Sequence, residues 1–150
     1  MQHAEAKREE EDPSRPLSEK GLEDTRKVAK YAHEHLHIQA DEIIYSGKLR
    51  AKQTAEVLAD HLNPAKGVSV GEGLEPLADP KVWGKRLSEA TPNLMLVGHL
   101  PHLSRLAAQL LCGDTGSEVV AFKMAGIVCL EKDENDRWTL QWMVTPEILP

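Results

Sequence analysis

The stretch that decides the fold class lies at residues 93–101 and has the sequence Asn-Leu-Met-Leu-Val-Gly-His-Leu-Pro. Its apolar part is continuous, which is typical of a strand covered on both faces of a sheet. A helix is predicted to follow, because leucine and alanine recur at helical spacing from Leu103 to Leu111. A buried strand that leads into a helix indicates an α/β protein. In such sheets ligands bind where the strands end, and His99 stands at that point.

The rest of the chain continues the alternation of strand and helix. The predicted elements are a helix from the N-cap Ser18 to about His37, a strand at 41–45, a helix that stops at 63–64, a strand at 68–70, a helix from Pro80 to about Glu89, and a hairpin at 127–130 and 138–144. We therefore predict one domain over residues 1–150, a three-layer α/β/α sandwich. Its mixed sheet should be mostly parallel, with an antiparallel edge at the C-terminal end.

Composition excludes several classes of function. The chain has 150 residues, of which 41% are hydrophobic and 28% charged, as in an ordinary globular domain. Its net charge of −6 argues against nucleic-acid binding, which needs a basic surface. No apolar run approaches the ~18 residues of a membrane span, and the charged N-terminus is unlike a secretory signal. We expect a cytoplasmic protein in which Cys112 and Cys129, both inside apolar runs, are buried and reduced.

Three polar clusters stand at the start of the chain or directly after predicted strands, at residues 2–6, 46–54 and 97–102. Loops at the carboxyl ends of parallel strands converge on one crevice. Arg50 and His99 are therefore expected to meet there. His3 would join them if a strand precedes it.

These clusters resemble the histidine phosphatase superfamily, which is also called phosphoglycerate mutase-like. The matching motifs are His-x-Glu-Ala at residues 3–6, Arg-Pro-Leu-Ser-x-x-Gly at 15–21, Ser-x-x-Leu-Arg-Ala-x-Gln-Thr-Ala at 46–55 and Val-Gly-His-Leu-Pro at 97–101. Within the superfamily, the small SixA-like phosphohistidine phosphatases are most similar in length and in the Arg-Pro-Leu element. The resemblance covers about residues 2–111.

The resemblance implies a phosphatase whose nucleophile is His3, which forms a covalent phosphohistidine. It implies that Arg50 and His99 complete the catalytic group, His99 being protonated when a dianionic phosphate is bound, and that Gln2 and Arg15 bind phosphate. An Arg fork matches phosphoryl oxygens bidentately, which fits this role. The implied substrate is a phosphorylated protein, first of all a protein phosphohistidine, or a small phosphate. No metal and no cofactor are implied.

Two departures from the family pattern concern the first motif. The family has Arg-His-Gly where this chain has Gln2, His3 and Ala4, and the neutral amide should bind phosphate more weakly than an arginine. A catalytically impaired phospho-binding module of the same fold therefore stays open as an alternative. The family also places an apolar central strand before this motif, and Met1 stands where that strand should end. We predict that the first central strand is missing here and that the natural form is longer.

A rival motif lies at residues 33–37, where His33, Glu34 and His37 match the H-E-x-x-H pattern of zinc hydrolases. Catalytic zinc needs a third protein ligand and a shaped cleft, and this stretch ends a solvated helix. We expect exposed histidines there, with the zinc hydrolase as an unfavoured alternative.

A general acid is not assigned by the sequence. Glu75 and Asp79 lie in a loop where larger family members carry an acidic proton donor, and solvated carboxylates are the simpler interpretation. His102 follows the last motif on the first turn of the predicted helix. We expect it to be a capping or exposed residue.

Overall fold

A parallel sheet of three strands forms the central layer of the computed structural model, which describes residues 1–90 and 92–150. The strands are β1 (Glu42–Tyr45), β2 (Val68–Val70) and β3 (Leu94–Val97), in the order β2-β1-β3. Ile43 of β1 lies opposite Val68 of β2 and Met95 of β3. Two further strands, β4 (Ile127–Lys132) and β5 (Trp138–Val144), form a separate antiparallel pair with an irregularity between Cys129 and Leu130.

The helices follow the predicted bounds closely. They are α1 (Glu19–Tyr31), α2 (Leu49–Leu62), α3 (Pro80–Glu89) and α4 (His102–Cys112). Ser18 caps α1 by accepting a hydrogen bond from the backbone N–H of Gly21, as predicted. After Tyr31 the chain widens into a π turn, Ala32–Leu36, and ends at His37 in the left-handed conformation.

Two apolar cores lie on opposite faces of the sheet, because successive strand residues point to opposite sides. Ile43 packs in a core with Val28 of α1 and Leu58 of α2. Its neighbour Ile44 packs in the other core, which includes Trp83 of α3 and Leu106 of α4. The predicted α/β/α sandwich is confirmed.

Residues 1–3 lie extended beside β3. The Met1 ammonium donates to the Leu96 carbonyl (2.8 Å), and the Gly98 N–H donates to the Met1 carbonyl (3.1 Å). The His3 N–H in turn donates to the Gly98 carbonyl (3.1 Å), and Gln2 also bridges to Met124 on its other side. These residues hold the place that the resemblance gives to the end of a first central strand. Main-chain pairing therefore puts His3 next to the loop that carries His99.

A cavity of about 570 Å³ continues from Met1 between β3 and β4. We call it the trough; Met1, Leu96, Leu106, Ile127 and Trp142 are among the residues that line it. It separates the three-stranded sheet from the β4–β5 pair. We predicted that the first central strand is missing, and residues 1–3 are what pairs with the end of β3 in its place.

Cys112 corrects one expectation. It ends α4 and is exposed, whereas Cys129 is half-buried; both are free thiols. An apolar run at the end of a helix does not by itself show which face the last residue takes. None of the helices in residues 1–90 and 92–150 is long and apolar enough to cross a membrane.

Gly21 gives the first testable prediction. A Cβ at this position would lie 2.1 Å from the carbonyl oxygen of Glu5, a backbone atom that cannot easily move. We expect Gly21→Ala to destabilise the protein by about 1–3 kcal/mol, despite the better helix propensity of alanine. Denaturant unfolding measures this. Gly47→Ala is the matched control, because nothing lies within 4 Å of its Cβ position, and equal stability of the two variants would contradict the packing argument.

Candidate active site

The His3 ring is fixed by contacts at both of its nitrogens. Its Nδ1 lies 2.7 Å from the Ala4 carbonyl oxygen, and since a carbonyl only accepts, Nδ1 must carry the proton. The Arg50 Nε–H donates to His3 Nε2 at 3.3 Å. Both contacts place the ring lone pair on Nε2, where it accepts from Arg50. A neutral imidazole with a positioned lone pair is a competent nucleophile.

Arg50 lies on the first turn of α2 and is coupled to the first motif through Thr54. The Thr54 hydroxyl donates to the Arg50 carbonyl (2.8 Å) and accepts from the Ala4 N–H (3.1 Å). Thr54 is fully buried, so both of its contacts are shielded from water. One side chain therefore sets the position of the helix end relative to the loop that carries His3.

His99 lies two residues after the end of β3, and its carbonyl accepts from the Leu103 N–H at the start of α4 (2.9 Å). Its ring lies 4.9 Å from the His3 ring, centroid to centroid. Nε2 contacts the Ser46 hydroxyl, at the end of β1. The other nitrogen, Nδ1, is buried and has no hydrogen-bond partner among the described residues. The structure thus brings His3, Arg50 and His99 together. The strand ends predicted this meeting for Arg50 and His99, whereas for His3 it depended on a preceding strand.

Burial and nearby cations disfavour the protonated form of both histidines. Burial lowers the pKa of His3, the Ala4 carbonyl opposes this, and Arg50 and Arg15 lower it further. Burial also lowers the pKa of His99 to about 3, and the Arg50 and Lys48 charges, with His3 and His102 when protonated, act in the same direction. A protonated His99 is therefore not the resting state of this site.

Arg15 and Gln2 border the site in different ways. Besides burial, the Arg15 charge lowers the pKa of both His3 and Arg50. The Arg15 Nε–H donates to the Lys7 carbonyl (3.1 Å). Gln2 is buried and its backbone pairs with Gly98 and with Met124. Gln2 also lines a cavity of about 330 Å³. Phosphate binding by Gln2 and Arg15 stays a prediction.

Three polar residues of the motif at residues 46–55 have contacts that we did not predict. Ser46 contacts His99, Thr54 joins Arg50 to Ala4, and the Gln53 side-chain oxygen accepts from the Leu17 N–H (2.8 Å). The last contact ties the loop that carries Arg15 to α2. The sequence signal that could have indicated these contacts is that the three polar residues lie in a motif next to small apolar residues.

The loop carboxylates have structural contacts. Asp79 caps α3 by accepting from the Lys81 N–H (3.0 Å), and Glu75 accepts from the Gly73 N–H (3.0 Å). Both are exposed, and their charges act on the pKa of His102. The expectation for His102 was wrong, because this residue is fully buried at the start of α4.

The rival zinc motif does not form a site. His33, Glu34 and His37 are all exposed, and the π turn followed by the left-handed His37 takes them out of regular helical spacing. Within the part of the chain that the structure describes, no group of three or more potential ligands is close enough to hold a metal ion.

His102 provides a second prediction. Both of its ring nitrogens are buried without a partner in the described residues, and burial lowers its pKa. The unfolded chain then binds one more proton than the folded chain as the pH falls below the ordinary histidine value, so His102 weakens stability in acid. We expect His102→Leu to leave stability at pH 7.5 unchanged or higher. The substitution should also reduce the loss of unfolding free energy between pH 7 and 5.5 by up to about 1.4 kcal/mol per pH unit.

Urea unfolding at several pH values tests this expectation. His33→Leu is the matched control, since the His33 ring faces water in the folded and unfolded chains alike. A His102→Leu variant that loses stability at pH 7.5 while keeping the acid slope would contradict the account.

Known proteins are similar to this chain over most of its length. No model of a protein family matches it. An uncharacterized protein of Picosynechococcus sp. (strain ATCC 27264 / PCC 7002 / PR-6) is 40% identical over 80% of this chain and 73% of its own length. Phosphohistidine phosphatase SixA of Escherichia coli (strain K12) is 27% identical over 90% of this chain and 84% of its own length.

Solved structures agree. The protein histidine phosphatase SixA complexed with tungstate superposes with a TM-score of 0.84 at 26% identity, covering 97% of this chain and 94% of that one. The alpha-ribazole phosphatase of Shigella flexneri, at 15% identity and a TM-score of 0.78 over 97% of this chain and 95% of that one, shares the fold alone. The chain belongs to the histidine phosphatase superfamily. Within that superfamily it is a phosphatase of the SixA-like type.

Proposed function

We propose that this phosphatase hydrolyses its substrate through a covalent phosphohistidine on His3, and that a protein phosphohistidine is its preferred substrate. The observation that carries the proposal is the geometry at His3. Nδ1 holds the proton against the Ala4 carbonyl (2.7 Å), and the lone pair of Nε2 faces the Arg50 Nε–H (3.3 Å). A phosphoryl group bound at Nε2 would therefore lie next to the Arg50 guanidinium.

The reaction runs in two displacements. His3 Nε2 attacks phosphorus, the bond from phosphorus to the leaving atom breaks, and the leaving group takes a proton from water. A water molecule then attacks the phosphorus of the phosphohistidine, and the bond to Nε2 breaks. Inorganic phosphate leaves, and His3 returns to its neutral form. The proton that the attacking water releases goes to solvent and replaces the one that the leaving group took in the first step.

Fixed cations stabilise the charge that develops on the phosphoryl oxygens. Arg50 is held by α2, the Arg15 charge acts on His3, and the Lys48 charge acts on His99. Preorganised donors of this kind usually supply the largest share of transition-state stabilisation. They also explain how a chain of net charge −6 can bind a dianion.

The choice of phosphohistidine rests on the leaving group. Glu75 and Asp79 are exposed and engaged with backbone N–H groups, and neither is assigned as a general acid. The P–N bond of a phosphoramidate breaks more readily than the P–O bond of an ester, so the acid is less needed. The relative from Escherichia coli is named for phosphohistidine, which favours the same substrate. We place this activity in the cytoplasm, in signal transduction.

A substrate comparison tests the preference. We expect kcat/KM for a phosphohistidine-bearing protein to exceed that for para-nitrophenyl phosphate by at least about tenfold, a barrier difference of about 1.4 kcal/mol. A higher value for the aryl ester or for a sugar phosphate would contradict the assigned substrate. Retained phosphate binding with no turnover of any substrate would favour the impaired binding module, in which Gln2 replaces the family's arginine.

A further inference from the structure

We propose that Ser46 is a positioning residue that holds His99 in its neutral Nδ1–H tautomer, so that His99 donates a hydrogen bond to the phosphoryl group without being protonated. This rests on the proposed function in one respect: the phosphoryl group is taken to lie between His3 and His99. The tautomer itself is a property of the free protein.

The first step is the contact between the Ser46 hydroxyl and His99 Nε2. Ser46 is fully buried, so its hydroxyl proton needs an acceptor within the protein. The other contact of Ser46 Oγ is with the Lys48 N–H (3.4 Å), in which the serine oxygen accepts. Among the described residues, His99 Nε2 is therefore the acceptor that remains for the serine proton.

The second step concerns the imidazole. A neutral histidine carries one proton, and a nitrogen that accepts from serine cannot also hold it. The proton of His99 must then be on Nδ1, the nitrogen without a partner in residues 1–90 and 92–150. The reverse arrangement would leave a bare lone pair at Nδ1 and a serine proton without an acceptor, both buried, which costs more.

The third step is electrostatic. Burial is the main factor that disfavours an added proton on His99, and the Arg50 and Lys48 charges from α2 and its cap act in the same direction. His3 from the N-terminal segment and His102 from α4 oppose that proton further whenever they are themselves protonated. A donor that needed protonation would be absent at neutral pH before substrate binds. A donor set by tautomer is present at any pH at which His99 is neutral.

Nitrogen-15 NMR of the histidine rings tests the proposal without turnover. In the wild-type protein at pH 7 we expect His99 to show a protonated Nδ1 and an unprotonated Nε2. In Ser46→Ala the resonances should move toward the Nε2–H tautomer, and in Ser46→Thr, which restores the hydroxyl, they should return. Ser69→Ala, whose hydroxyl donates to Glu42 on β1, is the matched control and should leave His99 unchanged.

Kinetics give the second readout. Ser46→Ala should lower kcat/KM on para-nitrophenyl phosphate by about 10–100-fold. Most of this activity should return in Ser46→Thr, because the threonine hydroxyl can again donate to His99 Nε2. A proton on Nε2 of wild-type His99, or a Ser46→Ala variant with the wild-type tautomer and the wild-type rate, overturns the proposal. Failure of the proposed function would appear instead as turnover that survives His3→Ala with the tautomer as stated.

Discussion

Replacing His3 by alanine is expected to lower turnover by at least about 10³-fold on any phosphate substrate, since the variant has no nucleophile to carry the phosphoryl group. The fold should survive. Residues 1–3 pair with Gly98 and its neighbours through main-chain groups, and an alanine at position 3 keeps all of those hydrogen bonds. Steady-state rates and the thermal midpoint, measured on the same preparation, separate loss of chemistry from loss of structure.

His33→Ala is the matched control for this experiment. His33 is an exposed histidine on the π turn, remote in the chain from the three motifs that meet at His3, and its loss should leave turnover unchanged. The two variants also decide between mechanisms. A zinc hydrolase built on His33 would lose activity in the control and keep it in His3→Ala.

The second large effect is expected from the trough between β3 and β4. A segment of about five apolar, β-branched residues added in front of Met1 should raise the free energy of unfolding by about 2–5 kcal/mol. For a domain of this size that corresponds to a thermal midpoint higher by roughly 5–15 °C.

Three observations support this expectation. The Met1 nitrogen already lies in strand register, 2.8 Å from the Leu96 carbonyl, so an added residue continues along β3. The Val97 carbonyl accepts from the Ser46 N–H on the side of β1. Because the backbone groups of successive strand residues point to alternate sides, those of Leu96 and Leu94 point to the trough. Burial also lowers the pKa of the Met1 ammonium to about 5, and an amide in its place removes that cost.

The control for the added segment is a Gly-Ser extension of equal length, which replaces the ammonium but fills no apolar volume. Thermal unfolding of the three proteins gives the comparison. Equal midpoints for the apolar and the Gly-Ser extensions would show that the trough does not accept a strand.

The elements of the fold were predictable because their signals are local. Ser18 caps α1, Pro80 opens α3, and the apolar run before Gly98 forms β3, each at the predicted place. The meeting of Arg50 with His99 was predictable for a topological reason, since both follow neighbouring parallel strands. The role of His3 came from resemblance alone, and the structure adds the main-chain pairing that brings it to the same loop.

Features that depend on packing between distant segments were not predictable. The burial of His102, the exposure of Cys112 and the neutral state of His99 follow from which helix face meets the sheet, which spacing does not specify. The contacts of Thr54 and Ser46 join residues about fifty positions apart. Such contacts appear only when the tertiary structure is known.

The central claim is that His3 carries the phosphoryl group during turnover. The most direct measurement is to mix the protein with excess phosphohistidine substrate, quench within milliseconds in alkali, which preserves phosphoramidates, and map the phosphate by mass spectrometry. The account predicts a phosphoryl group on His3 in the wild-type protein and none on the same peptide of His3→Ala. Rapid turnover with no phosphate on His3 at any quench time, or with the phosphate on another residue, would contradict it.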